Sequence, residues 1–288
     1  MSFEVKEIRA KSVLTPSNLE NNYDFSLNPY VGCTFGCAYC YASFTGRYVD
    51  KKVKDWGGYV FAKIHAPQIL SLELDRLENH GVGKSIWLSS VTDPYQGMEV
   101  KYRLTRKCLQ VLIDKGFQGS VLLLTKSDTV LQDLEILKKI PNIEVGMSIT
   151  TTDDAIARYF EKHAPPVSKR LLTLKKLHAA GIHTYAFIGP LLPHFVAKKT
   201  ELEKIIQAIK ETGIGERDIY VEHLIFNPYI RARMEQELKD MDGSIWEKFY
   251  ASQNETYKDE LDVIIQELLH KHGLKMQLNK MLFQRKMI

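Results

Sequence analysis

The sequence lacks the long apolar runs, the dense cysteine content and the internal repeats that mark several classes of protein. No apolar run approaches the ~20 residues that a membrane-spanning helix needs, and the first residues, MSFEVK, lack the apolar core of a signal peptide. Only 4 of the 288 residues are cysteine, too few for the disulfide framework of a small secreted domain. We therefore expect a cytoplasmic protein, without membrane association, whose thiols stay reduced.

An excess of charge of one sign is also missing. The formal net charge is +4, charged residues make up 26% of the chain and hydrophobic residues 44%, which is typical of a folded protein and not of a disordered one. The mild basic excess is compatible with a nucleic-acid partner but does not predict one.

Short β-rich runs alternate with stretches of helical periodicity along most of the chain. The β-rich runs lie at 25–31, 85–91, 120–125, 143–149, 182–188 and 219–225, and the helical stretches at 67–80, 105–115, 129–139, 167–180 and 198–212. Glycines such as Gly213 follow the helical stretches, where a left-handed residue is favoured. The pattern predicts an α/β fold of six β/α units, as either an open doubly wound sheet or a partial barrel.

No linker-like segment divides the chain. We predict an N-terminal extension at 1–24, a main domain at 25–230 and a C-terminal segment at 231–288, in which 246–273 forms one amphipathic helix packed on the main domain. In both architectures ligands bind at the carboxyl ends of the strands, so functional side chains are expected just after each β-rich run.

Three of the four cysteines form a compact motif, Cys-x₃-Cys-x₂-Cys, made of Cys33, Cys37 and Cys40. Three thiolates on one loop suit an iron–sulfur cluster or zinc. Structural zinc usually has four protein ligands, and the sequence has no second Cys-x₂-Cys. A cubane cluster on three cysteines leaves one iron open to an exogenous ligand. The spacing favours [4Fe–4S], and zinc with Cys108 or a histidine as fourth ligand is the alternative.

The cysteine motif and the strand-end segments together resemble the radical S-adenosylmethionine (SAM) superfamily, in particular its branch similar to spore photoproduct lyase. An aromatic residue, Tyr39, precedes the third cysteine. The other matching segments are NPYVGC at 28–33, TDPYQ at 92–96, LTR at 104–106, LTKS at 124–127, SITT at 148–151 and PVSKRL at 166–171. They cover about residues 26–195 in the family's order.

The resemblance implies a partial (β/α)₆ radical SAM barrel with a C-terminal helical extension, and a lyase-like enzyme. It implies that the three cysteines hold a [4Fe–4S] cluster, to whose open iron SAM binds. Reductive cleavage of SAM then gives a 5′-deoxyadenosyl radical, which abstracts hydrogen from the substrate; an electron donor such as flavodoxin or ferredoxin is expected. Family analogy favours a nucleic acid or a nucleotide as substrate, and does not identify it.

Five residues acquire roles in SAM binding from their positions in that family. Thr92 and Asp93 resemble the segment that contacts the methionyl amino group, Lys126 resembles a partner of the SAM carboxylate, and Ser148 resembles a ribose contact. Tyr39 is placed to pack against the adenine. Each also has a local alternative: Asp93 suits a turn, Lys126 a solvated strand end, Ser148 a turn, and Tyr39 ordinary packing.

The sequence departs from the lyase at one chemically important place. The lyase uses an additional cysteine at the end of the second strand as hydrogen-atom donor, whereas residues 89–93 here read SSVTD. An O–H bond is much stronger than an S–H bond, so Ser90 is a poor replacement. The remaining thiol, Cys108, lies in a predicted helix and is expected to be a small buried hydrophobe. We therefore assign no catalytic residue.

Weaker candidates lie at the fifth and sixth strand ends, where His194, Glu222 and His223 are placed to meet a substrate. Lys169, Arg170, Lys175 and Lys176 form a basic helical face, for which a solvated surface is expected and contact with phosphates is the alternative. Two other functions stay open. One is a non-catalytic nucleic-acid-binding or adaptor protein with a structural zinc or cluster; the other is a transferase that moves a group derived from SAM.

Overall fold

A computed structural model describes residues 3–17 and 23–282. Within these ranges the strands are β1 (Glu4–Ile8), β2 (Leu14–Pro16), β3 (Phe25–Leu27), β4 (Tyr30–Val31), β5 (Tyr59–Lys63), β6 (Ser85–Leu88), β7 (Ser120–Thr125), β8 (Ile143–Ile149), β9 (His183–Leu191) and β10 (Ile219–His223). The α-helices are α1 (Ala66–Leu74), α2 (Glu99–Tyr102), α3 (Leu104–Asp114), α4 (Leu134–Leu137), α5 (Asp154–Phe160), α6 (Val167–Ala179), α7 (Lys199–Lys210), α8 (Pro228–Glu237), α9 (Gly243–Ala251) and α10 (Glu255–Lys271).

The chain forms two compact units, of which the first comprises residues 1–36, 41–146 and 179–183. Its main sheet has the order β8-β7-β6-β3-β2, with residues 143–146 of β8. The strands β3, β6 and β7 are parallel, and β2 is antiparallel to β3. A separate sheet has the order β1-β5-β4, in which β1 is parallel and β4 antiparallel to β5.

The second unit comprises residues 37–40, 147–178 and 184–288. Its strands have the order β10-β9-β8, with residues 147–149 of β8, and β9 and β10 are parallel. In both units the parallel strands of the main sheet follow one another in chain order. An open doubly wound sheet would require the direction of the strand order to reverse at one point. The sequential order confirms the α/β class with a mostly parallel sheet and agrees with a partial barrel. The predicted domain limits at 24 and 230 stay predictions.

Each predicted β-rich run contains a strand, but several helices differ from the prediction. The stretch at 67–80 is helical only to Leu74, and Asn79 and His80 beyond it have left-handed backbone angles. The stretch at 129–139 is a 3₁₀ segment followed by the short α4. The single helix predicted at 246–273 is wrong. The side chain of Asn254 accepts a hydrogen bond from the Thr256 amide at 2.8 Å and thereby starts α10 as a new helix.

The two faces of β7 are covered unequally. In β7, Val121, Leu123 and Thr125 are buried, whereas the residues between them are half-buried. The same strand therefore contributes one face to the helix-covered core and a second face that is less completely covered. No helix in the described part of the chain is long and apolar enough to cross a membrane.

Gly32 joins β4 to the cysteine motif and packs directly against β5. Its φ is +89°, and a Cβ atom there would lie 2.4 Å from the carbonyl oxygen of Tyr59 and 2.8 Å from its ring. Both the left-handed backbone and the lack of space therefore favour glycine at this position.

We expect Gly32→Ala to lower the free energy of unfolding by about 3 kcal/mol, from a backbone cost of roughly 1–2 kcal/mol and an overpacking cost of similar size. Gly83→Ala is the matched control, because Gly83 has φ +75° but no atom within 4 Å of the added Cβ. Urea unfolding of the metal-free proteins, followed by tryptophan fluorescence, measures both losses. Equal losses would contradict the role of the Tyr59 contact.

Candidate functional site

The cysteine motif follows β4 as a loop. Cys33 and Cys37 are buried, Cys40 is half-buried, and no disulfide joins any of the four cysteines, all of which lie in the described ranges. Closely spaced soft thiol donors of this kind fit an iron–sulfur cluster. No group of three or more His, Cys, Asp or Glu side chains is preassembled around a metal position in residues 3–17 and 23–282. The ligand set is therefore a prediction from the donor chemistry and the spacing.

Backbone contacts in the second unit hold the segment from Cys37 to Cys40. The Ala38 amide donates a hydrogen bond to the Phe160 carbonyl at 2.8 Å, and the Cys40 amide donates to the Cys37 carbonyl at 3.1 Å. The guanidinium of Arg233, a residue of α8 that is 2% exposed, donates from Nε to the Ala38 carbonyl at 3.1 Å and from Nη2 to the Cys37 carbonyl at 3.2 Å. Both the amide and the carbonyl of Ala38, between two predicted ligands, are thus held by hydrogen bonds, to Phe160 and from Arg233.

The phenol of Tyr39 is anchored in the same unit. Its hydroxyl donates a hydrogen bond to Oε1 of Glu161 and lies 3.4 Å from Oγ1 of Thr150. Burial raises the pKa of Tyr39 well above its usual value, and the negative charge of Glu161 raises it further. The phenol therefore stays protonated and acts as a donor. The contact between its ring and an adenine stays a prediction.

Glu161 and Arg170 form a fully buried ion pair, each residue being 1% exposed. Nη2 of Arg170 contacts Oε2 of Glu161, while its Nε donates to the Pro165 carbonyl at 2.8 Å and its Nη1 to the Ser148 carbonyl at 3.2 Å. Burial by itself lowers the pKa of Arg170, but the adjacent carboxylate outweighs it and the pKa is raised. The prediction that Arg170 lies on a solvated basic face is wrong, because its charge is compensated inside the protein.

Ser148 lies at the carboxyl end of β8, is 3% exposed, and donates a hydrogen bond to the Gly189 carbonyl at 3.4 Å. A Cβ atom built on Gly189 would lie 2.9 Å from Cβ of Glu222. The C-terminal parts of β8, β9 and β10 therefore bring Ser148, Gly189 and Glu222 close together, and the functional roles of Ser148 and Glu222 stay predictions.

The two candidate histidines lie in different surroundings. His223 is 2% exposed, its Nδ1 lies 2.7 Å from the Leu224 carbonyl oxygen, and its ring packs against Tyr257 at 6.0 Å. Burial lowers the pKa of His223 to about 4, so the ring is neutral at neutral pH. His194 is half-buried in the loop after β9, with Nδ1 2.9 Å from Nζ of Lys248.

In the first unit, Asp93 joins the ends of β6 and β7. Its Oδ1 accepts hydrogen bonds from Oγ1 of Thr125 at 2.7 Å and from the Tyr95 amide at 2.9 Å, and its Oδ2 accepts one from the Lys126 amide at 2.9 Å. Burial raises the pKa of Asp93, and these three donors oppose that shift. The hydrogen bond from the Tyr95 amide gives Asp93 the turn role that was its local alternative. The hydrogen bond from the Lys126 amide brings together Asp93 and Lys126, two residues predicted to bind SAM.

Two further residues of the β6 end are tied to segments near the cysteine motif. Oγ1 of Thr92 donates to the Gly32 carbonyl at 2.6 Å. Nδ2 of Asn28 donates to Oγ of Ser90 at 3.3 Å, and the Tyr41 hydroxyl donates to the Ser90 carbonyl. The side chain and the carbonyl of Ser90 therefore both have hydrogen-bond partners.

The sequence analysis did not identify the buried polar residues that contact the segment from Cys37 to Tyr39 or one another, which are Glu161, Arg170 and Arg233. Arg170 lies in the PVSKRL segment, which resembles the family. That resemblance was a signal that Arg170 has a structural or functional role, although the helical pattern placed it on a solvated face. Glu161 and Arg233 gave no signal, since neither follows a predicted strand nor belongs to a recognised motif. Cys108 is completely buried in α3, as predicted, and burial raises the pKa of its thiol.

We expect Glu161→Gln to lower the free energy of unfolding by about 3–5 kcal/mol, because it leaves the Arg170 charge buried without its carboxylate. The control is Glu237→Gln, which breaks a partly exposed ion pair with Lys162 and is expected to cost at most about 1 kcal/mol. Urea unfolding of the metal-free proteins, followed by circular dichroism, gives both values. Similar losses in the two variants would contradict the importance of the buried pair.

The sequence matches a known protein family and several uncharacterized proteins. A family model for the radical SAM superfamily matches residues 27–201, which is more than half of the chain. An uncharacterized protein of Methanocaldococcus jannaschii is 35% identical over 193 residues, which are 67% of this chain and 70% of that protein. An uncharacterized protein of Acidianus two-tailed virus is 26% identical over 262 residues, which are 87% of this chain and 81% of that protein.

The fold is also found in a solved enzyme structure. A spore photoproduct lyase mutant with bound AdoMet and dinucleoside spore photoproduct aligns with a TM-score of 0.71 and 14% identity, over 95% of this chain and 81% of the lyase chain. At this identity the likeness shows a shared fold and not a shared reaction. Together, the family match, the strand order and the cysteine motif show that the chain belongs to the radical SAM superfamily.

Proposed function

We propose that this protein is a radical SAM enzyme in which Cys33, Cys37 and Cys40 hold a [4Fe–4S] cluster. The observation that carries the proposal is a three-cysteine loop, without disulfides, inside the region that matches the family. When bound, the cluster supplies the electron for reductive cleavage of SAM, which yields the radical that abstracts hydrogen from the substrate. We place the enzyme in the cytoplasm, where the thiols stay reduced and a flavodoxin or ferredoxin is the electron donor.

The residues at the strand ends are proposed to bind and orient SAM. Lys126 presents a fixed ammonium group to the SAM carboxylate, and its backbone is held by Asp93. Thr92 and Asp93 approach the methionyl amino group, Ser148 the ribose and Tyr39 the adenine. These groups contribute by positioning, since the bond cleavage itself belongs to the cofactor.

The substrate is proposed to be a nucleotide or a nucleic acid. Support comes from the lyase of similar fold, whose structure contains a dinucleoside spore photoproduct. The reaction is proposed to differ from that of the lyase, because Ser90, held by Asn28 and Tyr41, offers an O–H group and no thiol. Hydrogen return to the substrate radical therefore uses another donor than the side chain at this position.

The cluster assignment predicts a difference between the cysteines. After anaerobic reconstitution the native protein is expected to bind about four irons per chain, and Cys37→Ala to lose most of them. Cys108→Ala is the control: it removes a completely buried thiol outside the motif and is expected to keep the native iron content. Iron and sulfide analysis together with 5′-deoxyadenosine formation in dithionite and SAM measures the effect.

Two results would contradict that assignment. One zinc per chain without SAM binding would favour the structural-metal alternative. An intact cluster that forms no 5′-deoxyadenosine with any reductant would contradict the radical mechanism, and mass spectrometry of the products would then detect transfer of a SAM-derived group.

The proposed role of Lys126 predicts weaker SAM binding in Lys126→Gln. Loss of a charge-assisted hydrogen bond to the carboxylate is expected to raise the Kd for SAM about tenfold or more, because such bonds contribute ~1.5–3 kcal/mol. Lys175→Gln, which removes an exposed ammonium from α6, is the control and is expected to bind SAM normally. Equilibrium dialysis with the reconstituted proteins gives both constants. An unchanged Kd in Lys126→Gln would assign the lysine to the solvated strand end instead.

A further inference from the structure

We infer that residues 44–54, here called the stacking segment, bind a single-stranded part of a nucleic acid, with a base stacked on Tyr48 and phosphates in contact with Lys52 and Lys54. The inference rests on the proposed function and deepens one part of it, because it makes the substrate a nucleic acid and not a free nucleotide. The binding itself does not require the cluster, so it can be measured separately.

The stacking segment has a fixed backbone. Its first half belongs to a 3₁₀ helix, Tyr41–Val49, which begins at the residue after Cys40 and is buried at Ala42, Ser43, Thr45 and Gly46. The Lys51 amide donates a hydrogen bond to the Gly46 carbonyl at 2.9 Å, and the Lys52 amide donates to Oδ2 of Asp55 at 2.8 Å. A surface that is ordered before binding loses less conformational entropy when a ligand binds.

Arg47 contacts two aromatic rings on the outer side of this helix. Its guanidinium carbon lies 5.2 Å from the ring centre of Phe44 and 5.1 Å from that of Tyr48, and its Nη2 donates to the Tyr48 hydroxyl at 3.1 Å. Tyr48 is nevertheless 66% exposed. An exposed ring that is held beside a guanidinium offers a surface on which a nucleic-acid base can stack.

Positive charge is concentrated in the same segment. Four basic residues and one acidic residue give 44–54 a formal charge of +3, whereas the whole chain of 288 residues has +4. The ammonium of Lys51 contacts the carboxylate of Glu4. The other three basic residues form no ion pair with any residue in the described part of the chain, namely Arg47, Lys52 and Lys54. Exposed cations without an acidic partner favour a polyanionic ligand.

The exposure of the segment favours a polymer over a free nucleotide. Small ligands usually bind in concave pockets that bury most of their surface. Here Tyr48, Lys52 and Lys54 are all exposed, which is typical of proteins that bind single strands through stacking and backbone charge. A base can stack on Tyr48 only when it is released from its own helix, so the expected ligand is a single strand, a loop or a strand end.

The first test is the affinity of the reconstituted protein for a short fluorescein-labelled oligothymidylate, measured by fluorescence anisotropy. Tyr48→Ala is expected to raise the Kd about fivefold to a hundredfold, because it removes a base–aromatic stacking contact, whereas Tyr48→Phe keeps the ring and is expected to bind like the native protein. Tyr229→Ala is the matched control, since Tyr229 is 64% exposed on α8, and it is expected to bind normally. Thymidine monophosphate is expected to compete only weakly.

The second test is the salt dependence of the same binding. Each phosphate contact with a single strand contributes about 0.7 to the slope of log K against log salt concentration, so Lys52→Gln combined with Lys54→Gln is expected to reduce the slope by about 1.4. Tyr48→Ala is expected to weaken binding without changing the slope. The control combines Lys175→Gln with Lys176→Gln, which removes two exposed ammonium groups from α6 and is expected to leave the slope unchanged.

The outcomes distinguish the inference from the proposed function. If the variants behave as expected but the reconstituted protein does not cleave SAM, the binding surface stands and the proposed function fails. If the protein cleaves SAM but Tyr48→Ala binds the oligonucleotide like the native protein, or thymidine monophosphate binds as tightly as the oligonucleotide, only the inference fails. It is equally overturned if the native protein binds no oligonucleotide and the lysine variant instead slows reduction of the cluster by flavodoxin, which would assign the segment to the electron donor.

Discussion

The buried contact between Glu161 and Arg170 is the interaction on which the second unit depends. Placing two charges in the interior is costly, and the pair is tolerated only because the remaining hydrogen-bonding groups also find partners. Glu161 accepts from Tyr39 and Thr150, and Arg170 donates to the carbonyls of Pro165 and Ser148. One ion pair therefore connects the residue before the third cysteine with the carboxyl end of β8.

In the first unit a single buried carboxylate, and not an ion pair, connects the ends of two strands. Asp93 follows β6 and accepts hydrogen bonds from the side chain of Thr125 and the backbone of Lys126 at the end of β7. Adjacent parallel strands end at one edge of a sheet, where their last backbone groups need partners that the ladder no longer provides. A buried acid at this edge orders both strand ends, and in this fold the strand ends are where ligands bind.

The loop after β6 carries two consecutive serines. Ser90 is held by hydrogen bonds from Asn28 to its hydroxyl and from Tyr41 to its carbonyl. The nearby Ser89 has a left-handed backbone, with φ +64°, and is 4% exposed. The loop is thus well ordered without presenting an S–H group. A shared fold with different strand-end side chains is a common way in which one architecture supports several reactions.

The sequence by itself determined the features that depend on neighbouring residues. The cysteine spacing lies within one short loop. The β-rich runs and glycine positions, such as Gly213 with φ +88°, are local signals that predicted an α/β fold of six β/α units, but not its strand order. Local signals also misled: the amphipathic pattern continued through Asn254, although its side chain starts a new helix there. The short strands β1 and β5 were missed because they are formed by pairing with strands distant in the chain, β1 with β5 and β5 also with β4.

Only the tertiary structure decided which remote polar residues surround the motif. Glu161 lies 122 positions from Tyr39 and Arg233 lies 196 positions from Cys37, distances over which no periodicity or spacing rule operates. A sequence shows that an arginine is charged, but its neighbours determine whether that charge is solvated, as in Arg231, or buried, as in Arg170 and Arg233. The physical reason is that burial and charge compensation are properties of the packed chain, whereas metal-ligand spacing is a property of the loop itself.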